Sequence, residues 1–361
     1  MIITVDCRHN NSSGGIETYF KGLLPFFLSS GAAIFLLGDK NKLVQISKNS
    51  GTEIIHCTIK PFSLRDTFAF SKSILKKINS GDIYYTPYFN IPNGIKVPVY
   101  STIHDIIFLD MPNLVTKPGF WVRLYFYKRA ARLSNVIFTV SEFSKSRIKY
   151  FLGDTLNVIN ASNAVVEPFQ KELKNIKEKE KTVIFMGNIK KHKGLNILID
   201  AFLQCRKEGL EYKLIIVGSQ NNFRSGDKKT AKRLNMLKEH EVSFSGYIED
   251  DEKWKLLAQS ALLVQPSLYE GFGYPPLEAM LLGTKVLISD IKVFKEVYSD
   301  FPVIFFQSGS SKDLHDKLQE ILSDRNQQFL VLNDTLMEKY TFKKTASVIL
   351  GEMKVLRNSH D

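Results

Sequence analysis

Pro266-Ser267-Leu268-Tyr269-Glu270-Gly271-Phe272-Gly273-Tyr274-Pro275-Pro276-Leu277-Glu278-Ala279-Met280 places two carboxylates at the two ends of one glycine-bearing turn. The apolar run Ala261-Leu262-Leu263-Val264 ahead of it reads as a buried strand. Pro275-Pro276, the run Leu277 to Leu282 and Gly283 read as a short helix with its stop signal. Strand, loop and helix in that order belong to an open parallel sheet, whose ligands collect at the carboxyl ends of the strands. Backbone N–H groups at the helix start favour anions there, and Gly271 and Gly273 let the backbone approach a ligand closely.

Outward from this stretch, short apolar strands alternate with amphipathic helices, the pattern of an α/β chain with parallel sheets. One series runs through Ile2–Val5, Ala33–Leu37, Asp82–Tyr85, Val99–Ile103 and Val136–Val140 to about Leu156–Ile159. A second restarts at Thr182–Met186 and continues through Lys213–Val217, Val242–Phe244, Leu262–Gln265, Lys285–Ser289 and Val303–Phe306. Between them the highly charged segment 168–181 shows little periodicity and is assigned to a linker. The expected domains are therefore 1–167 and 182–340, with 341–361 a closing helix.

Glu270 and Glu278, with Gly-Phe-Gly-Tyr-Pro-Pro between them, resemble the E-x7-E signature of retaining family-4 glycosyltransferases. Ser267, Ala279, and Gly283 followed by Lys285-Val286-Leu287-Ile288 match the same run. The resemblance implies a GT-B fold: two Rossmann-like α/β domains with parallel sheets facing across a cleft, the first on the acceptor side, the second holding a nucleotide-sugar donor. In that fold the last helix, here 341–361, commonly crosses back to the first domain.

Met186-Gly187-Asn188-Ile189-Lys190-Lys191-His192-Lys193-Gly194-Leu195 opens the second series directly after a strand, where cations can meet phosphate. Lys193 stands where the family has its diphosphate-binding lysine. Many members carry arginine where this chain has Asn188, so a second cation would have to come from Lys190 or Lys191, and Lys190 is the candidate chosen. In the first series, Asn10 to Gly15 leads into a helix with Ile16, Tyr19, Phe20, Leu23 and Leu24 on one face, and Gly14-Gly15 can present N–H groups to a ligand. No G-x-G-x-x-G fingerprint is present there. The resemblance adds His104, followed by Asp105, as a residue that reaches toward the donor sugar. It also places the donor base against the backbone around Tyr247 and Ile248. Ser141 is assigned to capping the next helix.

On this reading Glu270 and His104 serve the reacting sugar. Gly14, Gly15, Lys190, Lys193, Tyr247, Ile248, Gly271, Phe272, Gly273 and Glu278 bind the donor, with Glu278 on the nucleotide's sugar ring. No D-x-D pair holds a nucleotide-bound cation, so neither metal nor cofactor is expected. The activity implied is retaining transfer of a hexose-type sugar from a nucleotide diphosphate sugar onto a glycan, expected to be lipid-linked, in cell-surface polysaccharide synthesis. A nucleotide-sugar-binding regulatory protein on the same fold and a two-carboxylate glycosidase remain alternatives.

At 361 residues with 44% apolar and 24% charged residues, the composition is that of a globular protein of two ordinary domains. No run approaches the roughly 18 to 20 apolar residues of a membrane helix. The start Met1-Ile2-Ile3-Thr4-Val5-Asp6 reads as a first strand. Three cysteines without metal-ligand spacing suit a reduced, cytoplasmic setting. The net charge of +12 concentrates in residues 1–167, which hold 19 Lys and Arg against 11 Asp and Glu. Lys117 to Arg132 mixes cations with five aromatic residues, a candidate contact for the inner membrane face, with Arg123, Lys128, Arg129 and Arg132 as its charges. No nucleic-acid-binding motif accompanies the basic balance.

Overall fold

The computed structural model describes residues 1–8, 15–165, 176, 178–218, 227–234, 236–237, 241–246, 248–323 and 338–358. The chain divides into two compact units, Met1–Val166 with Lys339–Asp361, and Glu167–Glu338.

The first unit is built on β1 (Ile2–Asp6), β2 (Ala33–Gly38), β3 (Glu53–His56), β4 (Ile83–Thr86), β5 (Val99–Thr102), β6 (Val136–Thr139) and β7 (Val158–Asn160). They lie in the order β3-β2-β1-β4-β5-β6-β7, every pair parallel. Strands such as Ile83–Thr86 and Val136–Thr139 are buried at every position, which is why they read as apolar runs instead of alternating ones. The edge strand β3 escapes the sequence reading because only Ile55 of its four residues is buried, leaving no run to see. The helix Gly15–Leu28 buries Tyr19, Phe20, Leu23, Leu24 and Phe27. The closing helix Phe342–Asn358 packs on this unit: Phe342 meets the Tyr19 ring at 6.5 Å, and Thr345 Oγ1 donates to the Ser162 carbonyl.

The second unit contains β8 (Glu180–Met186), β9 (Lys213–Val217), β10 (Val242–Gly246), β11 (Ser260–Gln265), β12 (Lys285–Ser289) and β13 (Ile304–Phe306). Their order is β10-β9-β8-β11-β12-β13, again all parallel. β8 begins at Glu180, inside the stretch assigned to the linker. Its start is held by register with β11 (Ser260 opposite Glu180), and Lys179 beside it is tied down by three acceptors, the carbonyls of Ala258 and Leu282 and the Thr284 hydroxyl. The core between this sheet and its helices includes Phe185, Leu198, Phe202, Leu262, Val264 and Leu314.

In each sheet the strand order reverses once, between β1 and β4 and between β8 and β11. Loops leaving two adjacent strands in opposite directions open a crevice at such a point, the usual ligand position in doubly wound sheets.

Candidate functional site

The reversal in the second unit brings together two loops far apart in sequence. The loop after β8 turns through Lys191–Lys193 in one short 3-10 turn and passes Gly194 at φ 66°, a left-handed conformation in which a Cβ would strike the Pro266 carbonyl. That closeness is used: Leu268 N donates to the His192 carbonyl at 2.7 Å, stitching the lysine turn to the Glu270 loop. The loop after β11 is fixed from beneath by Ser289 Oγ, which donates to the Ser267 carbonyl.

On this frame Lys193 Nζ lies 2.6 Å from Glu270 Oε1, the two side chains being 19% and 10% exposed. Ser267 Oγ donates to the same oxygen at 2.7 Å, and Gln265 Nε2 donates to Ser267 at 3.2 Å. Burial alone would push the Glu270 carboxyl up. The Lys193 ammonium and the Ser267 hydroxyl outweigh it and hold the group below the ordinary carboxylate range. His192 is pushed down to about 3, by burial first and then by Lys193, so its ring is neutral at physiological pH and donates no excess proton there.

Glu278 sits in the helix Tyr274–Leu281, buried, with Lys253 Nζ 3.0 Å from its Oε1. Lys253 comes from the neighbouring helix Asp250–Gln259 and lies over the Trp254 ring at 4.2 Å. Each signature glutamate is thus a carboxylate held by a lysine of the same unit. Between them, Phe272 is buried and Gly273 has φ 92°, with its carbonyl accepting from the Tyr298 hydroxyl at 2.5 Å. Gly271 completes that turn. Lys190 is half-buried at the start of the 3-10 turn, and its carbonyl accepts from Lys193 N at 2.9 Å. Ile248 is half-buried just before the Lys253 helix. Tyr247 lies outside the described residues.

In the first unit, His104 follows β5 and its Nε2 is 3.1 Å from the Pro87 carbonyl. A carbonyl only accepts, so Nε2 carries the proton of that bond. The ring stands edge-on to Tyr19 at 4.8 Å. Asp105 accepts from Ile107 N at 3.1 Å and so caps the following turn. Ser141 caps the helix Glu142–Leu152 by accepting from Ser144 N. Gly15 opens its helix in an exposed position, and Gly14 lies outside the described residues. A cavity of about 330 Å³ is lined by Ile91, Asn93, Val99, Arg129 and Asn135, at the amino ends of β5 and β6 and so on the edge opposite the reversal-point crevice.

The helix Lys117–Leu133 exposes Trp121 and Tyr125 at 65% and 56%, with Lys117, Lys128 and Arg132 also exposed. Arg129 does not belong to that surface: it is buried and donates to the Ile91 carbonyl and to Asn93 Oδ1. Helical spacing puts it on the same side as Tyr125 and Arg132, and it is buried because the segment carrying Ile91 and Asn93 covers it. Arg123 folds back on its own helix through the Gly119 carbonyl and stacks on Phe108 at 4.3 Å. Among the described residues no helix is long and apolar enough to cross a membrane.

Sequence reasoning missed Lys253, His192 and Gln265 as neighbours of the two glutamates. Ser267 was visible only as part of a motif. Nothing in the local sequence signals Lys253, whose pairing with Glu278 depends on how two helices pack.

Two all-parallel sheets, each with one reversal of strand order, define the GT-B class. The sucrose-phosphate synthase of Thermosynechococcus elongatus shares this fold over 100% of both chains at a TM-score of 0.73 and 16% identity. HepE of Anabaena, solved with UDP, shares it over 98% of this chain and 99% of its own at 0.69 and 17% identity. Residues 166–330 match the family model of glycosyl transferases group 1. The fold is that of the GT-B class, as the resemblance implied. The O-antigen chain mannosyltransferase B of Escherichia coli is 26% identical over 235 residues, 60% of this chain and 59% of the relative. The O-antigen chain mannosyltransferase RfbU of Salmonella typhimurium is 30% identical over 209 residues, 55% and 54%. The chain thus spans under two thirds of the length of either.

Proposed function

We propose that the protein is a retaining glycosyltransferase that moves a hexose-type sugar from a nucleotide diphosphate sugar to a glycan acceptor, lipid-linked, in cell-surface polysaccharide synthesis. The observation that carries this is the buried Lys193–Glu270 pair at the reversal point of the second sheet. A lone structural ion pair has no need of a glycine-rich turn beside it, whereas a donor diphosphate needs a cation, backbone N–H groups and a carboxylate for the sugar hydroxyls in one place.

Lys193 meets the negative charge that develops on the diphosphate as the anomeric C–O bond breaks, helped by the Gly271-Phe272-Gly273 backbone. Glu270, kept ionised, accepts from sugar hydroxyls. Glu278, steadied by Lys253, takes the nucleotide's sugar ring. Lys190 is the second candidate cation, and His104 keeps the role toward the donor sugar that the resemblance gives it. The acceptor oxygen bonds to the anomeric carbon on the face the phosphate leaves, and the acceptor proton goes to the departing phosphate oxygen. Neither glutamate acts as nucleophile, and no metal is required. Its setting is the cytoplasm, with the Trp121 and Tyr125 face of the first unit resting on the inner membrane surface. Relatives named as O-antigen mannosyltransferases make a mannose donor and a glycan chain the first substrates to try.

The test is a screen of nucleotide sugars against glycan and lipid-linked glycan acceptors, read by product mass and anomeric NMR, with chelator present. Transfer with retained configuration is expected. Binding of donor without transfer to any acceptor would favour a regulatory protein, and sugar release without a nucleotide donor would favour a glycosidase.

A further inference from the structure

Phe62 has φ 63°, a left-handed backbone that a non-glycine residue adopts at a cost, yet its ring is 54% exposed and fills no core. The conformation is held from below. Phe62 N donates to Asp66 Oδ2 at 3.0 Å, and Asn90 Nδ2 donates to the same oxygen at 2.5 Å. Asp66 Oδ1 meets Arg8 at 2.5 Å, and Arg8 reaches Asp6 at 2.6 Å, all three side chains being at most 2% exposed. A buried charge network of this kind is costly unless fully paired, and here it ends by fixing one strained surface residue.

The ring it presents stands edge-on to Tyr88 at 4.0 Å. Tyr88 packs on Phe89 at 4.1 Å and Phe89 on the buried Tyr127 at 4.3 Å, so an aromatic file runs from the interior to an exposed end. Tyr88 follows Pro87, whose carbonyl binds His104, so the file lies at the carboxyl edge of the first sheet beside that histidine. We infer that the Phe62 ring, buttressed edge-on by Tyr88, is a stacking platform for a pyranose ring of the glycan acceptor. A rigid aromatic face matches the apolar C–H face of a sugar, whose hydroxyls stay hydrated at the rim. The strain then has a function: it aims the ring outward. The inference rests on the glycosyltransferase reading for the identity of its ligand.

Glycine at this position removes the ring and the backbone strain together, which separates function from structure. Methyl pyranosides of mannose, glucose, galactose and N-acetylglucosamine are titrated into the full chain by saturation-transfer NMR, in parallel with GDP, UDP, ADP and dTDP by calorimetry. Phe62→Gly is expected to melt no lower than wild type, to bind the preferred glycoside about five- to tenfold more weakly, and to bind the preferred nucleotide unchanged. Phe62→Trp is expected to keep glycoside binding. Unchanged glycoside affinity in Phe62→Gly, a lowered melting point, or no glycoside binding by wild type would overturn the platform. Failure of wild type to bind any of the four nucleotides would strike the donor reading instead, and the glycoside titration decides the platform either way.

Discussion

Lys193→Met isolates the interaction on which the proposed donor site rests. The substitution keeps most of the side-chain volume and leaves Glu270 with only the Ser267 hydroxyl, at 2.7 Å. Exposed ion pairs contribute about 0–1 kcal/mol, and breaking a buried one by removing one partner costs about 3–5 kcal/mol. With side-chain exposures of 19% and 10% the pair lies near the buried end, and the retained Ser267 bond argues for its lower limit, about 3 kcal/mol. For a unit of this size that corresponds to a fall of about 6–12 °C in Tm. The pH dependence should change sign. In the wild type the Glu270 pKa is depressed, so its contribution is complete above the unfolded-state value and is lost as pH falls through the folded value. In Lys193→Met burial acts without the ammonium, the folded pKa rises above the unfolded one, and stability should increase as pH falls from neutral toward 5. Glu270→Gln on top of Lys193→Met should recover most of the loss and flatten the pH profile. Calorimetric melting at several pH values reads all of this. A loss of under about 1 kcal/mol in Lys193→Met, with the two substitutions additive, would show that the pair is a solvated surface contact and refute the reasoning.

Two further outcomes concern the same frame. Gly194→Ala should cost at least about 2 kcal/mol more than Gly209→Ala in urea unfolding, because both glycines have positive φ but only the Cβ at 194 meets a neighbour, the Pro266 carbonyl group; equal costs would mean that the lysine turn is not packed against the Glu270 loop. Lys253→Leu should weaken binding of the preferred nucleoside diphosphate about tenfold, with Lys253→Arg close to wild type, since the charge that steadies Glu278 is kept; calorimetric titration of the three proteins would reveal no difference if Lys253 merely decorates the surface.

The sequence by itself determined the α/β class and most strand positions, and it singled out Glu270, Glu278, Lys193 and His104 as candidates. Buried parallel strands are written as contiguous apolar runs, and loops at their carboxyl ends as glycines beside charged residues, so both are local signals. β3 was illegible because a short edge strand with one buried side carries no such run. Only the tertiary structure decided the partners. Lys193 and Glu270 are 77 positions apart and meet because β8 pairs with β11 while β9 and β10 lie on the other side, an order set by how crossover helices pack. The same holds for Lys253 with Glu278, for the burial of Arg129 and for the strained Phe62 held by Asp66. A residue's type and neighbours in sequence state what chemistry it can perform. Which group stands opposite it follows from long-range packing that no local pattern encodes.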